Sequence, residues 1–297
     1  MSLLSCVIQQ KESFMFRRRN RNAEIFKDTE YQYRTNQKLQ DAITYSIENQ
    51  KLILESDHVE YEINELHEGK VVVSGKRSLE ASELYAKQGK KVCVLNFASA
   101  TNPGGGVVQG ASAQEEAICR CSTLYPCLDM KDMWDGFYMP HRDADDPLYN
   151  DDCIYTPDVK VFKSDTNFSK IMRESEWWNV DMITCAAPNL RDIPSNMMNP
   201  YAGNKAAEVT YDGLRALISK RVKRVFEVAI ANKAEVLILG AWGCGAFRNP
   251  PQLVAEVFAE YTEKYRRSFD VIEYAVFHVE HERANYEAFK DCMEKYI

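Results

Sequence analysis

KVCVLNFASATNPGGGVVQGASAQEEAICR, residues 91–120, is the stretch on which the fold turns. Its first part, 91–99, is a nearly unbroken apolar run, the pattern of a strand covered on both faces. A loop with Gly104, Gly105 and Gly106 follows, and then a helix from about Ala113 to Thr123. Strand, glycine loop and helix in that order form the ligand-binding unit of an open α/β sheet, whose ligands lie beyond the C-terminal strand ends. Three glycines in a row are costly in backbone entropy, so the loop answers a need that side chains would block. The close approach of a phosphate or a sugar is such a need. Asn102 is placed to reach sugar hydroxyls or to cap the turn, whereas Asn96, inside the strand end, suits a structural hydrogen bond. Gln114 either assists a ligand or starts the helix. Glu115 and Glu116 would diverge by about 100° on a helix, yet both can face a ligand lying across its N-terminus. Complementarity to the helix dipole alone would explain the pair. The dipole also favours ionised carboxylates, whereas a general acid needs its pKa raised by burial or a neighbouring charge.

Working outward, 70–75, 180–190, 235–240 and 271–278 read as strands, and 59–66 shows strand-like alternation. Residues 153–165 read as two short strands. Helical patterns cover 78–89, 202–230, 251–265 and the chain end. Apolar strands alternating with helices predict one three-layer α/β domain over 58–297, with a mostly helical, polar extension over 1–57 packed on it. Residues 129–158, with nine Asp against only Lys131 and Arg142, read as a long surface excursion or lid. A second glycine loop, GAWGCGAFRNP (240–250), sits between a strand and a helix. Its backbone N–H groups and the helix start can hold phosphates without a lysine. It fits neither the Walker A nor the dinucleotide-binding pattern.

The net charge of -7 speaks against a general nucleic-acid coat protein, so a polyanionic ligand must be held by local features. The basic cluster Arg17 to Arg21 reads as solvated surface. No apolar run reaches membrane-spanning length, and the opening MSLLSCVIQQKESF is too short in its apolar part for a secretory signal. Nine irregularly spaced cysteines read as reduced cytosolic thiols. Cys119, Cys121 and Cys127 fit no usual zinc spacing and are read as core or helix-face residues, so no metal is expected. The five histidines form no recognisable catalytic spacing and are read as structural or surface residues.

The triple glycine Gly104–Gly105–Gly106, seven residues, then Gln114–Glu115–Glu116 is similar to the signature of the bacterial-type, microbial branch of the poly(ADP-ribose) glycohydrolases. NFASATNP, GAWGCGAFRNP and RNAEIFKDTEYQY match the family style as well, so the resemblance covers most of the chain. It implies a three-layer α/β/α macrodomain-like fold with a mixed central sheet, and hydrolysis of the ribose–ribose bond of poly(ADP-ribose), without metal or cofactor. Glu116 would be the catalytic acid and Glu115 would orient the leaving ribose. Asn102 and Gly104 to Gly106 would bind the distal ribose and diphosphate. Gly243, Cys244, Gly245, Ala246 and Phe247 would cradle the diphosphate, with Phe247 packed on the sugar. The partners implied are poly(ADP-ribose) or ADP-ribosylated proteins as substrate and ADP-ribose as product, in the cytoplasm or, in a eukaryote, the nucleus. Neither a membrane nor sequence-specific nucleic acid is expected as a partner. Two other readings are a hydrolase of single ADP-ribosyl units or ADP-ribose derivatives, and a macrodomain that only binds ADP-ribose; the glutamate pair weighs against the second.

Overall fold

The computed structural model describes residues 3–63 and 67–297, with side chains described from residue 16 on. The chain begins with helices α1 (Leu3–Thr35) and α2 (Gln37–Glu48) and a short strand β1 (Lys51–Ile53). Strand β2 (Lys70–Ser74), helix α3 (Ser78–Ala86) and strand β3 (Val92–Phe97) follow. After the glycine loop come α4 (Gln114–Cys121) and α5 (Leu124–Leu128). Helix α6 (Lys131–Met133) runs through a π-helical turn, Trp134–Tyr138, into α7 (Met139–Ala144). The rest is β4 (Cys153–Val161), β5 (Trp178–Cys185), α8 (Tyr211–Ala231), β6 (Val236–Leu239), α9 (Pro251–Tyr265), β7 (Val271–Ala275) and α10 (Ala284–Met293).

The seven strands form one mixed sheet in the order β1-β4-β5-β3-β6-β7-β2. β1, β4 and β5 pair antiparallel; β5, β3, β6, β7 and β2 pair parallel. The central strands are apolar throughout because both faces are covered. Cys93 and Leu95 join a core with residues of α8, α9 and α10. Val92 and Val94 join a second core on the other face, with Phe26 of α1, Leu79 of α3 and Ile118 of α4. The result is the expected three-layer arrangement with a mixed sheet.

Several local expectations are corrected. The N-terminal region is helical only to residue 48; Lys51–Ile53 adds an edge strand whose partner, β4, lies about a hundred residues away in sequence. Residues 59–63 pair with no strand, and 64–66 lie outside the described residues. The alternation there serves docking: Val59 and Tyr61 pack on the core, Tyr61 with its ring edge toward Tyr265. Residues 153–161 form one strand with a bulge between Thr156 and Val159, where Pro157 cannot donate to the ladder. Helix α8 starts at Tyr211, not 202, because Thr210 caps it by accepting from Gly213 N at 3.1 Å.

Residues 129–158 do not project as one excursion. Met133, Phe137 and Tyr138 are buried in the core, while Asp129, Asp132, Asp135, Asp143, Asp145 and Asp146 face water. At the end of the segment, Asp151 meets a fully buried Arg221 of α8: Arg221 Nε donates to Asp151 Oδ1 at 3.0 Å. Its remaining donors reach the carbonyls of Ala186, Leu148 and Tyr149. Removing Arg221 leaves three carbonyls without their donor and Asp151 with only the exposed Lys220, 2.6 Å from its Oδ2, as a cation. Arg221→Ala is therefore expected to lower stability by about 3–5 kcal/mol, measured as a shift of the urea midpoint. A shift below about 1 kcal/mol, within the ordinary range for surface substitutions and weak contacts, would show that the pair does not hold this segment.

Candidate active site

A cleft of about 590 Å³ opens beyond the C-terminal ends of β3, β5, β6 and β7. Gly105, Gly106, Glu115 and Glu116 line it together with Gly243, Gly245, Ala246 and Phe247. Both glycine loops thus meet at one sheet edge.

The triple glycine is explained by what lies beneath it. Gly104 and Gly105 have φ of +63° and +58°, values that L side chains rarely adopt. A Cβ on Gly105 would stand 2.6 Å from Glu116 Oε1 and 3.2 Å from Glu115 Oε2. One on Gly106 would stand 2.9 Å from the Cβ atoms of both Ala111 and Met198. The bare backbone lies directly on the two carboxylates, and Gly106 N donates to Glu116 Oε1 at 3.0 Å. Glu115 is held from the strand side, accepting from Ser99 N at 2.7 Å and Asn96 Nδ2 at 3.2 Å. Gln114 latches the helix start to the sheet: its carbonyl accepts from Phe97 N, and its amide donates to Leu95 O and Ser78 Oγ.

Both glutamates are almost wholly buried, and burial dominates their protonation. It pushes the Glu115 carboxyl well up from its ordinary value, with the neighbouring Glu116 charge adding to the rise. Burial also raises Glu116, against the opposing N–H of Gly106 and the charge of Arg120. Desolvation therefore outweighs the hydrogen bonds that favour the ionised forms. Glu116 Oε2 is buried without a hydrogen-bond partner among the described residues.

Not every expected residue lines the cleft. Gly104, Asn102 and Cys244 are absent from its walls. Asn102 is engaged at both ends: its Nδ2 donates to Asn199 Oδ1 at 2.9 Å, and its Oδ1 accepts from Arg142 Nη2. Arg142 Nε also donates to Thr101 O at 2.7 Å, and its guanidinium lies between the rings of Tyr201 and Trp134. The segment 129–158 thereby fixes the loop after β3. Cys244 turns toward the core. Phe247 lines the cleft and packs against Ala98, Ala100, Tyr149 and Ala186. Asn199, Arg191 and the arginines Arg18, Arg19 and Arg77 also line it. None of these was singled out for the site from sequence, and Arg18 and Arg19 correct the reading of their cluster as plain solvated surface. Among the described residues, no group of three or more His, Cys, Asp or Glu side chains is placed to hold a metal ion. Cys119, Cys121 and Cys127 are buried core thiols.

Fold and cleft together define a macrodomain-type α/β protein in which a bare glycine loop rests on two buried glutamates. A family model for the catalytic domain of microbial-type PARG, poly(ADP-ribose) glycohydrolase, matches residues 19–164. The glycohydrolase of Thermomonospora curvata bound to the inhibitor ADP-HPD is similar over 92% of this chain and 99% of that one, at 29% identity and a TM-score of 0.75. The Deinococcus radiodurans enzyme in complex with ADP-ribose is similar over 85% and 97%, at 28% identity and a TM-score of 0.69. No protein with a curated description matches the chain.

Two stability predictions follow from the loop on its carboxylates. Gly105→Ala forces a left-handed side chain against Glu116 and should destabilise by about 1–3 kcal/mol. Gly245→Ala meets nothing within 4 Å and should stay within about 0.5 kcal/mol of wild type; equal denaturant midpoints for the two variants would contradict the steric account. The second concerns pH. Burial raises the folded pKa of Glu116 above its ordinary value of 4.5. The stability it contributes is thus fully present below the unfolded pKa and is lost as pH rises through the folded one. Glu116→Gln should remove that loss, so its melting temperature should fall less than that of wild type between pH 4.5 and neutrality. Parallel Tm–pH curves would refute a raised pKa.

Proposed function

We propose that the chain hydrolyses poly(ADP-ribose) at the bond between C1 of the distal ribose and the 2'-hydroxyl oxygen of the preceding adenosine ribose, releasing ADP-ribose. The family-model match and the similarity to glycohydrolases crystallised with ADP-ribose and ADP-HPD support the reaction. The observation that carries the assignment of roles is the partnerless, buried Oε2 of Glu116 in a carboxyl group raised by burial, in the wall of the cleft.

In this scheme neutral Glu116 gives its proton to the leaving 2'-oxygen as the C1–O bond breaks and its electron pair passes to that oxygen. The distal ribose becomes an oxocarbenium ion. Ionised Glu116 then takes a proton from water as the water oxygen bonds to C1, which restores the neutral acid. The products are ADP-ribose and a chain shortened by one unit with a free 2'-hydroxyl. Glu115 orients the leaving ribose. The backbone of 105–106 lies against the distal ribose, and 243–247 with the start of α9 receives the diphosphate, whose charge stabilises the cation. Phe247 packs on the sugar. Asn102 acts on the ribose through Asn199, to which it is bonded and which lines the cleft. The scheme uses no metal ion.

The catalytic domain is proposed as 58–297, with residues 1–57 as an extension that packs on it through α1 and lends its edge strand β1 to the sheet. Among the described residues no helix is long and apolar enough to cross a membrane. Eight described cysteines, none in a disulfide, support a reducing compartment, the cytoplasm or in a eukaryote the nucleus.

Glu116→Gln keeps size and polarity but removes the proton cycle. It should lower single-turnover release of ADP-ribose from polymer by about 10²–10⁴-fold, while ADP-ribose affinity changes by less than about tenfold. Glu115→Gln should slow release too, and the double variant should show strong non-additivity because both groups act on one transition state. Phe247→Ala should weaken binding as well as rate. A Glu116→Gln enzyme of near wild-type rate would remove Glu116 from its role. A wild type that binds ADP-ribose yet releases none from any linkage would be a binding module instead.

A further inference from the structure

We propose that Arg18 and Arg19 of α1 hold the diphosphate of the departing polymer unit, the one joined to the retained ADP-ribose through the bond that breaks. The inference rests on the reading above and adds a second anion subsite to it.

Both arginines line the cleft, are half-buried, and have no carboxylate partner among the described residues, in a chain whose net charge is -7. The helix that presents them is fixed against the catalytic loop. Asn22 Nδ2 donates to Gly110 O at 3.2 Å, and Thr29 Oγ1 donates to Arg120 O at 2.6 Å. Gly110 packs so closely that a Cβ there would stand 2.0 Å from Arg19 O. Arg18 and Arg19 therefore flank 110–113, the stretch that leads directly into Glu115 and Glu116.

The retained unit carries a single diphosphate, and the second glycine loop already provides for it. Gly243, Gly245, Ala246 and Phe247 line the cleft, with Arg191 beside them, since Leu190 N donates to Phe247 O. Arg77, the other cleft cation, is engaged with Asn167, Asp165 and the ring of Phe277. Asp165 is the only cleft-lining acid besides the two glutamates among the described residues. Arg18 and Arg19 are thus left without an anion in the retained unit. The next anion along the polymer is the diphosphate beyond the scissile bond, and guanidinium forks suit its oxygens.

The test compares two substrates in the full-length protein. One is poly(ADP-ribose); the other is ADP-ribose carrying a small aryl alcohol at C1 of the distal ribose, which has the same retained unit but no second diphosphate. For Arg18→Gln/Arg19→Gln, kcat/KM on polymer should fall about tenfold or more at low salt, mainly through KM. Its log–log salt dependence should become shallower by about 0.7 for each phosphate charge no longer met. Turnover of the aryl substrate and ADP-ribose affinity should stay within about twofold, and Arg18→Lys/Arg19→Lys should recover part of the polymer KM. Equal losses on both substrates would place the arginines on the retained unit, and no loss on polymer would leave them without a subsite; either outcome overturns the inference alone. A wild type that cleaves neither substrate would overturn the proposed function, and this inference with it.

Discussion

The site depends on the backbone of 104–106 lying in van der Waals contact with two carboxyl groups. That contact dictates the glycines, since a Cβ on Gly105 would enter the space of Glu116. It also sets the chemistry. Burial shifts both carboxyls toward their neutral forms, while the N–H of Gly106 still orients Glu116. A polar side chain in the same place would have brought its own hydrogen bonds and left the carboxyl less ready to give up a proton. Much of the surrounding structure holds this contact in register. Gln114 pins α4 to β3, Asn96 and Ser99 hold Glu115, and Arg142 grips the loop from outside.

The loop closes on itself through turns such as Gly105 N to Asn102 O and Val107 N to Gly104 O, and further supports come from distant sequence. Arg142 belongs to a segment rich in aspartate; Asn199 belongs to the loop after β5; α1 backs the turn at Gly110. Each support binds main-chain carbonyls or amide side chains, and none is a carboxylate. A carboxylate in this position would place a third negative charge beside Glu115 and Glu116 and raise both further. Supports of this kind instead leave the proton balance of the pair to burial and to their mutual charge.

What was legible in the sequence follows from these physical origins. Strand β3, the glycine loop, the start of α4, strand β6 and helix α9 carry local signals, an apolar run, glycines and periodicity, and they stand within a residue or two of where the pattern put them. The glutamate pair was legible for the same reason. Strand β1 was not, because three residues at a sheet edge owe their form to β4 and not to their own composition. Residues 129–158 misled because the π turn at Trp134–Tyr138 breaks the helical period, so the buried Met133, Phe137 and Tyr138 do not stand out among the aspartates. Arg18, Arg19, Arg142 and Asn199 carry no local mark of the site; only the folded chain brings them to it. Asn102 was expected at the ligand, and its engagement with Arg142 and Asn199, away from the cleft walls, was not legible.

The charge distribution reconciles an acidic protein with a polyanionic substrate. The net charge of -7 would repel such a chain if it acted as a whole. At physiological ionic strength, however, charges separated by more than about 8 Å of solvent are largely screened. What the polymer meets is therefore decided by the groups in the cleft. There, among the described residues, the acids are Asp165, close to Arg77, and two glutamates raised toward neutrality by burial; the cations are Arg18, Arg19, Arg77 and Arg191. The exposed aspartates between Asp129 and Asp146 line none of it. Segregation of this kind lets burial serve two ends at once. The desolvation that raises both glutamates also lowers the negative charge in the cleft that the four arginines share.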